Sequence, residues 1–150
     1  MSKSLPKGFT NKRKRARSRA VQALYQFQLT GYDPADIEQE FLDGQDMAKT
    51  DLDYFHELLT QVALKSEELD EVIAPLCDRK LSHLDPIELS ILRLAIYELK
   101  HHLEIPFRVV VNEAIELAKK FGSEDGHKFV NAVVDKAVKQ LRVTEAQQPK

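Results

Sequence analysis

A chain of 150 residues, 43% hydrophobic and 31% charged, is long and apolar enough to bury a core without a disulfide or metal staple. Its single cysteine, Cys77, excludes an internal disulfide and a Cys-rich zinc or iron–sulfur site, and five glycines and six prolines exclude a low-complexity chain. The formal net charge of −2 hides an uneven distribution: residues 1–32 hold eight Lys/Arg and no acid, leaving 14 basic and 24 acidic residues for the rest.

A basic arm on an acidic body is a signature of nucleic-acid contact, because Lys and Arg displace the counterions condensed on phosphates. The same charge run also fits a solubilising tail or a localisation signal. No apolar run reaches the ~18–20 residues of a membrane span, and Gln residues interrupt the stretch after the basic run, so a cytoplasmic protein without membrane contact is expected.

Residues 1–10 carry Pro6 and Gly8 without periodicity and read as a flexible basic lead. Thr10 or Asn11 then caps a first helix that runs through the basic residues to Gly31, with Ala20, Val21, Leu24, Phe27 and Gln28 inward. Cations on the first turns oppose the macrodipole by roughly 0.3–1 kcal/mol each, which predicts local fraying until an anion arrives. Asp33-Pro34 opens a second helix with Ile37, Phe41 and Leu42 inward, closing at Asp43-Gly44. A third follows Thr50 or Asp51 and buries Leu52, Phe55, Leu58, Leu59 and Val62. A fourth starts near Ser66, with Leu69, Val72, Ile73 and Leu76 inward, and ends or kinks at Pro75.

Asp85-Pro86-Ile87-Glu88 opens the fifth helix with a capping-box-like pattern. Ile87, Leu89, Ile91, Leu92, Leu94, Ala95, Ile96 and Leu99 make it apolar almost all round, so it is the expected core axis. Ile105-Pro106 opens the sixth. Val109-Val110-Val111 resembles a strand, but Ala114, Ile115, Ala118 and Phe121 continue at helical spacing up to Gly122. Ser123, Glu124 and Asp125 start the last helix, with Phe129, Val130, Val133, Val134, Ala137 and Leu141 inward. Residues 143–150 read as a loose polar tail. The expected architecture is all-α, about seven helices, with residues 11–142 as one domain.

No phosphate loop, nucleophile elbow or paired-Cys motif is present, and none of His56, His83, His101, His102 and His127 pairs at metal-ligand spacing. Glu113 and Glu116 read as solvated helix surface, and Cys77 as a small core residue. No catalytic residue, metal or cofactor is expected. Phe27 falls on the inner stripe of the first helix, whereas Tyr25 is offset from it and has a polar handle suited to the rim of a base-stacking surface. The segment Gly122–Phe129 packs two glycines, two acids, His127, Lys128 and Phe129 into one helix entrance.

Four stretches carry a resemblance: Arg13-Lys14-Arg15-Ala16-Arg17, Ala20-Val21-Gln22-Ala23-Leu24-Tyr25, Asn112-Glu113-Ala114-Ile115-Glu116-Leu117-Ala118-Lys119 and His127-Lys128-Phe129-Val130-Asn131. From about residue 11 to 142 the chain resembles the NusB family of bacterial transcription antitermination factors. The resemblance implies two packed helical bundles, no catalysis, and binding of the boxA element of ribosomal RNA leaders as single-stranded RNA. It implies as partners NusE, a small-subunit ribosomal protein, and indirectly RNA polymerase and other Nus factors. It maps RNA contact onto Arg13, Lys14, Arg15, Arg17 and Tyr25 in one segment and Asp125, His127, Lys128 and Phe129 in another, and the NusE-facing surface onto Leu84, Asp85 and Glu88. The basic helix and the Asp125–Phe129 turn are expected to line one groove. The chain departs from the family at Ser18, where Glu often follows the arginine run, with Arg19 adding charge, and at the form of the Asp85-Pro86 entrance. Two other readings stay open: a protein-only helical adaptor with an incidental basic arm, and a NusB-like RNA-binding fragment of an rRNA methyltransferase.

Overall fold

The computed structural model describes residues 10–147, so most of the basic lead and the last three residues of the tail lie outside the described residues. Among the described residues there are eight α-helices and no strand: α1 (Asn11–Thr30), α2 (Pro34–Gly44), α3 (Leu52–Leu64), α4 (Ser66–Ile73), α5 (Pro86–His101), α6 (Phe107–Phe121), α7 (Gly126–Leu141) and α8 (Val143–Gln147). They fall into two compact units, divided between Lys65 and Ser66. No helix of the described residues is long and apolar enough to cross a membrane.

The first unit holds α1 to α3. The side chain of Thr10 accepts from Arg13 N at 3.2 Å and starts α1. Gly31, at φ 68°, ends it with its N–H on Phe27 O and is the one left-handed residue in the described backbone. Asp33 and Asp51 cap α2 and α3 through Ala35 N and Tyr54 N. Ala16, Ala20, Val21 and Leu24 of α1 are buried, as are Ile37 and Phe41 of α2 and Phe55, Leu58, Leu59 and Val62 of α3. The rings of Phe41 and Phe55 meet at 5.8 Å in a tilted pair. Leu42 and Leu52 turn outward instead of joining the core, and Tyr54 takes the inward place on the first turn of α3. Phe27 is only half-buried.

The second unit is built on α5, whose residues Glu88 to Leu99 are buried apart from Arg93. Each charge on this helix needs a partner to be tolerated there. Arg93 takes Asp70 of α4 in a fork, Nε to Oδ1 at 2.8 Å and Nη2 to Oδ2 at 2.7 Å. Helix α4 stops at Ile73 and passes into a 3-10 turn, Ala74–Leu76, because Pro75 has no N–H to continue it. The valine run 109–111 is helical, in keeping with its period and against its strand propensity. Glu113 corrects the sequence reading: it is buried in α6, and only Glu116 is solvated.

The tail also differs from the loose segment expected, because residues 143–147 form α8. Arg142, 5% exposed, spreads all five guanidinium donors over the end of α5. Nε donates to Leu99 O, Nη2 to Glu98 O and His102 O, and Nη1 to Ile105 O and Glu145 Oε1. Glu145 in turn accepts from Phe107 N at 2.9 Å, supplying the side-chain cap that Pro106 cannot give α6. One arginine and one glutamate thereby satisfy the exit of α5 and the entrance of α6.

Candidate nucleic-acid interface

In the first unit the basic run is helical from Asn11, and its cations differ in placement. Arg15 is exposed, and Arg13 and Lys14 are partly so. Arg17 is fully buried. Both Arg13 and Arg17, one turn apart, lie over the ring of Tyr54, with guanidinium carbons 4.2 and 5.5 Å from its centroid. Arg13 also pairs with Asp51 at 3.8 Å, and Asp51 N donates to Lys12 O. These contacts and the Thr10 cap offset the macrodipole cost that predicted fraying. Tyr54, 2% exposed, is therefore the organiser of the basic face. A polar-tipped aromatic just past a cap is its only trace in the sequence. Arg19 is drawn off the run: its guanidinium donates to Gln22 Oε1, Gln45 Oε1 and Asp46 O. Tyr25 is 37% exposed, on the rim where its offset from the apolar stripe places it.

In the second unit the turn between α6 and α7 carries the other predicted residues. Asp125 and Lys128 are exposed and pair at 3.5 Å, while His127 and Phe129 are half-buried. Helix α7 begins at Gly126, and the Asp125 carboxylate makes no capping bond. The Arg79 guanidinium covers the Phe129 ring at 4.5 Å, a contact fifty residues apart in sequence that no spacing rule could find.

Residues predicted at the NusE-facing entrance divide between surface and interior. Asp85 is exposed and caps α5 through Ile87 N. Leu84 is buried at 7% exposure. Glu88 is buried too, and its carboxylate leaves the capping-box position to accept from Ser123 N at 2.9 Å and Ser123 Oγ at 2.8 Å. The glycines of the turn are explained by the same side chain. A Cβ on Gly122 would lie 2.7 Å from Ala118 O and 3.0 Å from Glu88 Oε2, and one on Gly126 would overlap that carboxylate. Gly126→Ala is therefore expected to lower stability by about 1–3 kcal/mol, seen as an earlier melting transition. A transition within a degree of wild type would refute the packing argument.

Among the described residues no group of three or more His, Cys, Asp or Glu is arranged to hold a metal ion. Cys77 is half-buried rather than in the core, and burial, then the Asp78 carboxylate, push its thiol pKa up.

The fold and its side chains define an all-α protein that presents cations and aromatic rings on helical frames. Residues 14–139 match the NusB family. A transcription antitermination protein NusB from Shewanella halifaxensis is 52% identical over 132 residues, covering 88% of this chain and 98% of that relative. Two solved structures share the fold at 26% identity. NusB from T. maritima has a TM-score of 0.75, covering 90% of this chain and 96% of that one. A complex of the antitermination factors NusB and NusE with double-stranded RNA has a TM-score of 0.76, covering 88% and 99%. The chain belongs to the NusB family, a family of transcription factors.

Proposed function

We propose that this chain is a transcription antitermination factor of the cytoplasm. In this reading residues 11–142 bind the boxA element of ribosomal RNA leaders as single-stranded RNA, together with NusE, within a complex that includes RNA polymerase and other Nus factors. The chain acts by binding alone, without catalysis, metal or cofactor. The observation that carries the reading is a helix-borne basic run, Lys12 to Arg15, in a member of a family whose solved relatives include a NusB–NusE complex with RNA.

Roles follow placement. Arg13, Lys14 and Arg15 neutralise phosphates. Arg17, being buried, serves by holding Tyr54 and the helix in place. Tyr25 and Phe129 offer rings to unpaired bases. His127 and Lys128 add donors, and Asp125 accepts from base amino groups. NusE meets the α5 entrance at Asp85, with Leu84 and Glu88 supporting it from beneath.

The test is a gel shift with boxA-like RNA, a scrambled strand and a boxA duplex, with and without NusE, repeated after changing Arg13, Lys14 and Arg15 to Ala. Selective retention of the single strand, lost in the variant, is expected. No shift under any condition overturns the reading in favour of a protein-only adaptor. Asp125→Asn is expected to leave the melting temperature unchanged, since that carboxylate caps nothing, while altering RNA affinity. An unchanged binding isotherm refutes its placement at the RNA.

A further inference from the structure

We propose that Arg79 is a specificity-determining residue of the RNA site, its guanidinium fork reading the edge of a guanine placed against Phe129. This rests on the function proposed above. Arg79 lies in a short bend between two 3-10 turns, Ala74–Leu76 and Leu81–His83. Buried Leu76 and buried Leu84 anchor the bend on either side. The bend is also tied to α7. Lys136 Nζ donates to Leu76 O at 3.4 Å, and the Arg79 guanidinium carbon lies 4.5 Å from the centre of the Phe129 ring. Phe129 and Lys136 are two turns apart on one face of α7.

Arg79 Nε donates to Asp78 Oδ1 at 3.2 Å. That bond and the ring hold the guanidinium on two sides, while about half of the side chain stays exposed. Its terminal nitrogens, Nη1 and Nη2, have no hydrogen-bond partner among the described residues. A phosphate or a base edge can take those donors, and the Asp78 carboxylate decides between them. It is 81% exposed, so it offsets the arginine charge and repels a phosphate, whereas a neutral base edge meets no such repulsion. The fork also stands beside the ring offered to a base, at the level of a stacked base rather than of the backbone. Among base edges, guanine presents the O6 and N7 acceptor pair that two N–H donors of one arginine match. In a single strand that edge is open.

The experiment compares the full chain as wild type, Arg79→Lys and Arg79→Ala. Each is titrated with boxA RNA, a scrambled strand, and boxA strands in which each guanine in turn becomes 7-deazaguanine, which lacks only the N7 acceptor. Wild type is expected to lose about fivefold in affinity at one such position, and to bind unmodified boxA about tenfold more tightly than either variant. Both variants should bind the unmodified and the 7-deaza strands equally, because lysine keeps the charge but not the fork. A role confined to supporting the Phe129 ring would weaken all strands alike and leave the guanine sensitivity of the variants intact, and that result overturns the proposal. An Arg79→Lys protein that binds like wild type makes the contact a phosphate one and overturns it as well. So does a wild type that binds boxA RNA but is indifferent to every 7-deazaguanine. Wild type that binds no RNA removes the function reading itself, so the two failures are told apart. If Arg79→Ala does not fold, Arg79→Lys carries the test.

Discussion

Arg142→Met is expected to destabilise the second unit by about 3–5 kcal/mol, the usual cost of removing one partner from a buried charged network. The methionine fills much of the space but donates nothing. The carbonyls of Leu99 and Ile105 lose the arginine donor, those of Glu98 and His102 keep only the amides of His102 and Ile105, and Glu145 loses its ion pair while still facing Phe107 N. For a chain of this size the loss amounts to about 10 °C in melting temperature. Thermal melting with a far-ultraviolet probe reads it directly. A shift below about 3 °C would show that water satisfies those carbonyls and that the clasp contributes little. Glu145→Gln, which keeps an acceptor for Phe107 N and loses only the ion pair, should cost much less.

The second large effect separates two kinds of arginine. Changing Lys14 and Arg15 together to Ala is expected to weaken boxA binding about 20-fold at 0.1 M salt and to leave the melting temperature within about 1 °C. With about three phosphates neutralised, by Arg13, Lys14 and Arg15, wild-type log K should fall with log salt at a slope near −2.1, at ~0.7 per contact, and the double variant at a slope near −0.7. Arg17→Ala differs in kind. That side chain is fully buried against Tyr54, so its loss empties a packed site and should cost about 2–3 kcal/mol of stability. Its salt slope should stay near the wild-type value. An Arg17→Ala protein that melts normally and loses one unit of phosphate contact would put this guanidinium on the RNA instead. A wild-type affinity independent of salt would count against a phosphate-reading surface altogether.

Helix boundaries were legible wherever a side chain at the end does the capping. Thr10, Asp33, Asp51 and Asp85 each accept from the helix they open, and Gly31 turns left-handed where its helix stops. Period correctly overruled propensity at Val109–Val111. What local pattern could not supply was the destination of polar groups. Glu88 has a capping-box spacing, yet a donor pair 35 residues away competes successfully for it. Glu113 has the spacing of a surface carboxylate and is buried. Arg142 reads as the last residue of the domain and Glu145 as part of a polar tail, yet both are fixed by carbonyls and an amide some 40 residues earlier. The candidate interface repeats the lesson. The cationic run was plain from charge alone, but the sorting of Arg15 outward, Arg17 inward and Arg19 sideways depends on Tyr54, Gln45 and Asp46. The Arg79–Phe129 stack has no local signature at all.

Tyr54 has a consequence for the timing of entropy loss. A long cationic side chain surrenders up to about 2 kcal/mol of rotational freedom when it is immobilised. With Arg13 already laid on that ring and tethered to Asp51, part of this loss falls during folding rather than at encounter. In the proposed binding role, a phosphate that meets this guanidinium would find it already held in place, so ordering it takes little from the affinity.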